Sequence, residues 1–357
     1  MTVVASFEIE YLQFLDQLGR VSQPLPGFAR DPRALVPLYR AMVLARTFDT
    51  KAVALQRTGQ IGTYASSLGQ EAVGVGTVGA LRPEDVFLPS YRESGGLLLR
   101  GVTMEEMLLY WGGDERGSDF RVPRQDFPIC VPVGSQASHA AGVAYAFMLR
   151  RQARVAVCML GDGATSKGDF YEAINFAGVR ALPAVFVVCN NEWAISVPRA
   201  LQSAAKTLAQ KAIAAGIQGV QVDGNDVIAV RFAVERALDQ ARDGGGPSLI
   251  EALTYRLGDH TTADDSSRYR DAEEVKQRWA HEPIGRLRNH LVEQGAWGKN
   301  EEEALHAECT ERVQKAVDAY LAVPQPPPEA MFDYLFAQLP RPLQPQRTAA
   351  AQESGHG

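Results

Sequence analysis

The fold is decided by two apolar runs with polar endings: residues 155–163 read VAVCMLGDG, and residues 184–191 read AVFVVCNN. The apolar part of each run predicts a buried parallel strand, and residues 166–177 between them have the spacing of a helix. Ligands of open α/β sheets bind at the carboxyl ends of such strands. Asp162 and Asn191 are therefore predicted to lie together at one edge of the sheet.

The residue types at this edge suit a magnesium-bound diphosphate. Mg²⁺ takes one or two protein oxygens, such as those of Asp162 and Asn191, and completes its octahedron with phosphate oxygens and water. Gly161 and Gly163 allow a ligand to come close to the backbone, and the start of the following helix favours an anion. A Gly-Asp-Gly turn alone is weak evidence, but its spacing from the Asn pair across a strand-helix-strand unit favours a functional site.

Composition excludes several classes of function. The 357 residues carry a formal net charge of −6 with no clustered Lys/Arg tract, so nucleic acid is not an expected partner. No apolar run approaches the roughly 18 residues of a membrane span, so no membrane association is expected. Residues 1–15, with Glu8 and Glu10, do not resemble a signal or transit peptide, and a cytoplasmic location is expected. The four cysteines form no CxxC pair and are predicted to be reduced thiols.

Alternating strand and helix patterns predict an α/β fold, a doubly wound and mostly parallel sheet flanked by helices. Further strands are expected within residues 220–226 and 248–254, and further helices at 272–293 and 301–321. The predicted parts are an N-terminal arm (1–30), one α/β domain (31–323), and a Pro-rich segment with a tail (324–357) that is disordered from residue 340.

Several segments together resemble one family. Gly-Asp-Gly followed by Asn-Asn after roughly 26 residues resembles the thiamine diphosphate signature. Segments in the family's order are GQEA (69–72), PSYRE (89–93), VGSQ (133–136), VDGND (222–226) and the loop from His260. From about residue 10 to 340, the chain is similar to the α subunit of the decarboxylating, thiamine diphosphate-dependent first component of 2-oxo acid dehydrogenase complexes.

The resemblance implies a thiamine diphosphate-binding fold and specific site residues. Asp162, Asn191 and the main-chain carbonyl of Trp193 would bind Mg²⁺, although the family usually has Tyr at this last position. The carbonyl of Val133 would hold the aminopyrimidine, and His260 would act in catalysis near cofactor and substrate. The residues implied to bind the cofactor are Tyr91, Arg92, Val133, Gly161, Asp162, Gly163, Ala164, Asn191 and His260. The remaining histidines, His139, His281, His290, His306 and His356, have no assigned role.

The same resemblance implies the reaction and the partners. The chain would take part in oxidative decarboxylation of a 2-oxo acid and in acyl transfer to the lipoyl group of a dihydrolipoyl acyltransferase. In this family a β subunit supplies the glutamate that faces the aminopyrimidine, and no segment here matches it. The chain is also too short to hold both cofactor-binding domains. It is therefore expected to be inactive alone and to work in an α2β2 heterotetramer.

Two substrates stay open. Residues 260–265 and 63–65 resemble pyruvate dehydrogenase α chains, and pyruvate is the expected substrate. Residues 264–267 also resemble branched-chain 2-oxo acid dehydrogenases, which act on 3-methyl-2-oxobutanoate. Cys189 stands where branched-chain relatives often have Arg, which favours pyruvate, whereas Thr63 stands where many relatives have Phe and would widen the pocket. Thr261 replaces the regulatory serine of mammalian relatives, so phosphorylation control is not expected.

Two other classes fit less well. A dinucleotide-dependent enzyme would need a GxGxxG turn, which Gly161, Gly163 and Gly168 do not form, and an acidic residue after the second strand. A scaffold subunit that has lost its chemistry is disfavoured because the metal, phosphate and loop residues are all present together.

Overall fold

The computed structural model describes residues 1–353 and has a six-stranded sheet at its centre. The strands are β1 (Glu10–Leu12), β2 (Val86–Leu88), β3 (Ala156–Gly161), β4 (Ala184–Asn190), β5 (Trp193–Ala194), β6 (Val197–Pro198), β7 (Gln218–Asp223) and β8 (Ser248–Leu253). In the main sheet the order is β1-β7-β8-β4-β3-β2, and all neighbouring strands are parallel. Strands β5 and β6 form a separate antiparallel pair just after β4.

Helices cover both faces of this sheet. They are α1 (Val36–Arg57), α2 (Glu71–Val78), α3 (Ser94–Arg100), α4 (Met104–Trp111), α5 (Ser135–Leu149), α6 (Gly168–Val179), α7 (Arg199–Gln202), α8 (Lys211–Ala214), α9 (Val227–Arg242), α10 (Ala272–Trp279), α11 (Pro283–Glu293), α12 (Lys299–Leu321) and α13 (Gln344–Glu353). One core lies between the sheet and α1, α2 and α9, and the other lies between the sheet and α5 and α6. The predicted doubly wound α/β fold is confirmed.

The continuous apolar runs follow from burial on both faces. In β3, Val157 and Met159 belong to the core beneath α1, α2 and α9, whereas Cys158 and Leu160 belong to the core beneath α5 and α6. A strand with only one buried face would alternate with polar residues, and this strand does not. The two strands predicted from the sequence are confirmed to within one residue at each end.

The N-terminal segment contributes a strand that the sequence did not predict. Strand β1 pairs with β7 at the edge of the sheet, within residues 1–30, which were expected to form an arm. The buried carboxylate of Asp226 fixes the chain that follows, because it accepts the backbone N–H groups of Phe14 and Leu15 at 2.7 and 2.8 Å. Asp226 also caps the N-terminus of α9. The boundaries of the predicted parts stay predictions.

Two predictions of secondary structure need correction, one of a helix and one of disorder. The helix expected at residues 272–293 is divided into α10 and α11, because Pro283 cannot continue a helix and instead occupies the first turn of α11. The tail expected to be disordered from residue 340 forms α13, since Ala and Gln favour a helix. Residues 354–357, including His356, lie outside the described residues. Cys130, Cys158, Cys189 and Cys309 are all free thiols, as predicted.

Candidate active site

The candidate site lies at the carboxyl ends of the two central strands. Strand β3 is followed at once by Asp162, and β4 by Asn191. Both side chains are buried, with 3% and 5% of their surface exposed, and both line one cavity of about 190 Å³. The prediction that these two residues share one edge of the sheet is confirmed.

All residues proposed from the sequence as site residues line this cavity: Tyr91, Arg92, Val133, Gly161, Asp162, Gly163, Ala164, Asn191, Trp193 and His260. They come from segments that are far apart in the sequence, and the fold alone brings these segments together. Their individual roles in holding a cofactor or a metal stay predictions. The apolar and polar character of the lining is typical of a pocket for a small organic ligand.

The turn after β4 packs directly against the turn after β3. A Cβ atom built on Gly163 would lie 2.7 Å from the Cβ of Ala194, closer than ordinary carbon contacts of about 3.5 Å or more. The backbone N–H of Trp193 donates to the Asn191 side-chain oxygen at 3.2 Å. Glu192 and Ile195 have φ angles of 70° and 56°, a left-handed conformation that is uncommon for such residues and occurs often at functional sites. The close contact at Gly163 and the two left-handed residues therefore give the backbone around Trp193 an unusual path beside the cavity.

The environment of Asp162 suits a bound cation. Its carboxylate accepts a hydrogen bond of 3.0 Å from the neutral side-chain amide of Gln202 and is also stabilised by the backbone N–H of Gly163. Burial raises the pKa of the Asp162 carboxyl, because the charged form loses its hydration. A divalent cation in the cavity would favour the charged form again. The Asp162 carboxylate, the Asn191 carboxamide and the Trp193 backbone carry oxygen atoms of the kind that Mg²⁺ prefers, and all three residues line the same cavity. Their role as metal ligands stays a prediction.

His260 and Arg92 form a pair in the cavity wall. The Arg92 guanidinium lies 2.9 Å from Nδ1 of His260 and also donates to the His260 carbonyl oxygen at 2.6 Å. Since Arg can only donate, Nδ1 accepts, and the imidazole proton resides on Nε2. Burial, and then the charges of Arg92 and Arg256, lower the pKa of His260 to about 4. The imidazole is consequently neutral near pH 7.

Arg256 contacts two residues of the cavity wall, although the sequence predicted no role for it. Its guanidinium is buried and donates to the carbonyl oxygens of Trp193 at 3.2 Å and Ile195 at 2.7 Å. The Trp193 carbonyl, predicted as a metal ligand, has a second lone pair that is still available to a cation. Burial, followed by the charge of Arg92, lowers the pKa of Arg256 to about 10. The available signal was its position shortly after β8, at the same edge of the sheet as Asp162.

Gln70 and Gln136 were also missed as residues of the cavity wall. Each belongs to a segment that resembled the family, but the sequence assigned neither of them a role. Both are at least 95% buried, and each has a side-chain polar atom without a partner among the described residues. These free polar atoms could not be predicted from sequence spacing, because they depend on side-chain orientation.

Comparison with known proteins agrees with this geometry. Residues 39–329 match the family described as Dehydrogenase E1 component. The chain belongs to this family. It is 44% identical to the 3-methyl-2-oxobutanoate dehydrogenase subunit alpha of Mycobacterium tuberculosis, over 87% of this chain and 84% of the relative. It is 41% identical to the pyruvate dehydrogenase E1 component subunit alpha of Acholeplasma laidlawii, over 85% of this chain and 90% of the relative. It is 38% identical to the protein of the same name in Mycoplasma genitalium, over 95% and 94% of the two chains.

Membership in the dehydrogenase E1 component family confirms the resemblance predicted from the sequence, and with it an enzyme component that uses thiamine diphosphate. The alternative of a dinucleotide-binding enzyme is therefore discarded. Among residues 1–353, no helix has the length and apolar character needed to cross a membrane. The cytoplasmic location stays a prediction.

Proposed function

We propose that this chain is the α subunit of a pyruvate dehydrogenase of the E1 type, acting on a 2-oxo acid together with a β subunit in an α2β2 heterotetramer. The observation that supports this most strongly is that the buried residues Asp162 and Asn191 line one cavity, in a chain of this family. The acyl group would then pass to a lipoyl-bearing dihydrolipoyl acyltransferase. Thiamine diphosphate, when bound, supplies the nucleophilic carbon and the electron sink for loss of carbon dioxide.

Different residues of the cavity would bind different parts of the cofactor. Asp162, Asn191 and the Trp193 carbonyl would coordinate Mg²⁺, and the backbone N–H groups of Gly163 and Ala164 would bind diphosphate oxygens. Gly163 lies in the short 3-10 helix Asp162–Ser166, and its lack of a side chain keeps this turn against Ala194.

Tyr91 and Arg92, which line the same cavity, would bind the diphosphate. Arg92 is only 9% exposed and lies over the Tyr91 ring, with 5.2 Å between its central carbon and the ring centroid. A guanidinium forms strong, charge-assisted hydrogen bonds with phosphate oxygens. Val133 would contribute its main-chain carbonyl to the aminopyrimidine, and Gly161 would allow close approach of the ligand.

His260 would hold or move a proton near the substrate. Because the imidazole is neutral near pH 7, Nε2 carries a proton that it can donate while Nδ1 stays bonded to Arg92. The loop that carries His260 is fixed by a hydrogen bond of 2.9 Å from the His260 N–H to Asp264. This arrangement supports a role of His260 in orienting the substrate or the cofactor.

We propose pyruvate, and not 3-methyl-2-oxobutanoate, as the substrate, although the chain is similar to dehydrogenase subunits named for each of these substrates. Cys189, where branched-chain relatives often have Arg, lies in the cavity wall. Thr63, which would widen the pocket for a branched substrate, is exposed and is not a lining residue of this cavity. In this chain Thr63 therefore gives no support to the branched-chain alternative.

Reconstitution tests the proposal. The chain should show no decarboxylation alone and should gain it on addition of a β subunit, with kcat/KM higher for pyruvate than for 3-methyl-2-oxobutanoate. Full activity of the chain alone would refute the α2β2 proposal. A higher kcat/KM for 3-methyl-2-oxobutanoate would make this compound, and not pyruvate, the substrate. Absence of activity with any β subunit would favour a scaffold role.

A further inference from the structure

Gln70 has a side chain with two different environments at its two ends. It precedes α2 and is 95% buried in the wall of the candidate cavity. Its Oε1 atom accepts hydrogen bonds from Nδ2 of Asn191 at 2.9 Å and from Sγ of Cys189 at 3.1 Å. Its Nε2 atom is buried and has no hydrogen-bond partner among the described residues.

The hydrogen bonds of Asn191 determine which terminal atom of the Gln70 side chain is the oxygen and which is the nitrogen. The backbone N–H of Trp193 can only donate, so it requires the oxygen of the Asn191 carboxamide. The nitrogen of this carboxamide must then point to Gln70 and donate to the side-chain oxygen of Gln70. The free atom of Gln70 is consequently an N–H donor, and buried donors are rarely left without an acceptor.

The backbone around Gln70 leaves little freedom to move this donor elsewhere. Gly69 has a φ of +89°, and a Cβ atom there would lie 2.6 Å from the carbonyl oxygen of Tyr255. The Thr254 hydroxyl donates to the Gly69 carbonyl at 2.8 Å, and the Gln70 N–H donates to Ser67 at 2.9 Å. The side chain is therefore presented to the cavity by a fixed turn.

We propose that Gln70 is a binding and positioning residue for the magnesium diphosphate group. Its Oε1 holds the Asn191 carboxamide so that the Asn191 oxygen faces the metal, and its Nε2 donates to a diphosphate oxygen. This inference rests on the proposed function. A neutral donor suits the position, because it binds an anionic oxygen without adding charge to a cavity wall that already contains Arg92 and Glu93.

Two substitutions separate the two roles. Gln70→Glu keeps an oxygen acceptor for Asn191 but removes the donor, whereas Gln70→Met has a similar length and removes both. The probes are thiamine diphosphate, titrated into the full chain by calorimetry at saturating Mg²⁺ and pH 8, and Mg²⁺, titrated at fixed thiamine diphosphate. Gln152→Met, an exposed glutamine after α5, is the matched control. The melting temperature of each variant without ligand shows whether it is folded.

Both variants should weaken thiamine diphosphate binding by about tenfold or more, as expected for loss of a hydrogen bond to a charged group. The Mg²⁺ concentration at half-saturation should rise about tenfold in Gln70→Met and stay within about threefold of wild type in Gln70→Glu. The control should match wild type in both titrations.

Each role has its own contrary result. Wild-type affinity for thiamine diphosphate in Gln70→Glu would overturn the donor role, and a wild-type Mg²⁺ requirement in folded Gln70→Met would overturn the positioning role. If Gln70→Met does not fold, Gln70→Glu alone decides the donor role, and Gln70→Leu replaces the methionine variant. Failure of the proposed function is distinguishable, since wild type itself would then show no magnesium-dependent binding.

Discussion

The contact between the two turns at the site leads to a prediction about Gly163. Replacing this residue with Ala places a Cβ atom 2.7 Å from the Cβ of Ala194, so the turns must separate by about 1 Å to reach an ordinary carbon contact. Overpacking of this kind costs about 1–3 kcal/mol of folding free energy. Gly161 is a matched control in the same motif, because a Cβ atom there has nothing within 4 Å and its φ of −77° suits any residue.

The assay is urea denaturation of the full chain without ligand. Gly163→Ala should be less stable than wild type by about 1–3 kcal/mol, whereas Gly161→Ala should be neutral or more stable by up to about 1 kcal/mol. The added variant Ala194→Gly removes the opposing Cβ atom, leaving its Cα 3.6 Å from the new methyl group.

A double-mutant cycle therefore completes the test. Ala194→Gly in the Gly163→Ala background should recover at least about 1 kcal/mol compared with the sum of the single changes. Equal stability of Gly163→Ala and Gly161→Ala, or additive effects in the cycle, would refute the steric reasoning.

Three further predictions concern the frame around the site. Thr103→Ala should destabilise the chain by about 1 kcal/mol in urea denaturation, because it removes the capping box of α4, while Thr103→Ser should be near wild type. Asp226→Ala should lower the free energy of unfolding by about 3 kcal/mol, because the backbone N–H groups of Phe14 and Leu15 lose their acceptor. Proteolysis before residue 30 should become faster, and unchanged cleavage would contradict this anchoring. The pKa of His260 is lowered to about 4 in the folded chain, so only the unfolded chain gains this proton as pH falls from about 6.5 to 4. Wild type should therefore lose more stability than His260→Gln over this range, and parallel melting-temperature curves would count against it.

The strands and the main site could be predicted because they depend on local patterns. Doubly buried strands give continuous apolar runs, and the residues that follow them must meet at one edge of a parallel sheet. For this reason Asp162 and Asn191 were found from the sequence alone. The Thr-x-x-Glu spacing at residues 103–106 is typical of a capping box, and the structure forms one at the start of α4.

Other features depend on contacts between distant segments and leave no local signal. Strand β1 is only three residues long, and the chain just after it is held by Asp226, which is more than two hundred residues away in the sequence. The bond between Gln70 and Asn191 spans 121 positions. Arg256 had a weak signal in its place after β8, but a lone Arg beyond a strand is more often a surface residue.

The claim that Asp162 and Asn191 hold Mg²⁺ against a diphosphate is tested most directly by calorimetry on the full chain. Thiamine diphosphate is titrated with excess Mg²⁺ and with EDTA, into wild type and into Asp162→Ala. Binding should be measurable only for wild type with Mg²⁺. Equal affinity in EDTA, or in folded Asp162→Ala, would contradict the account.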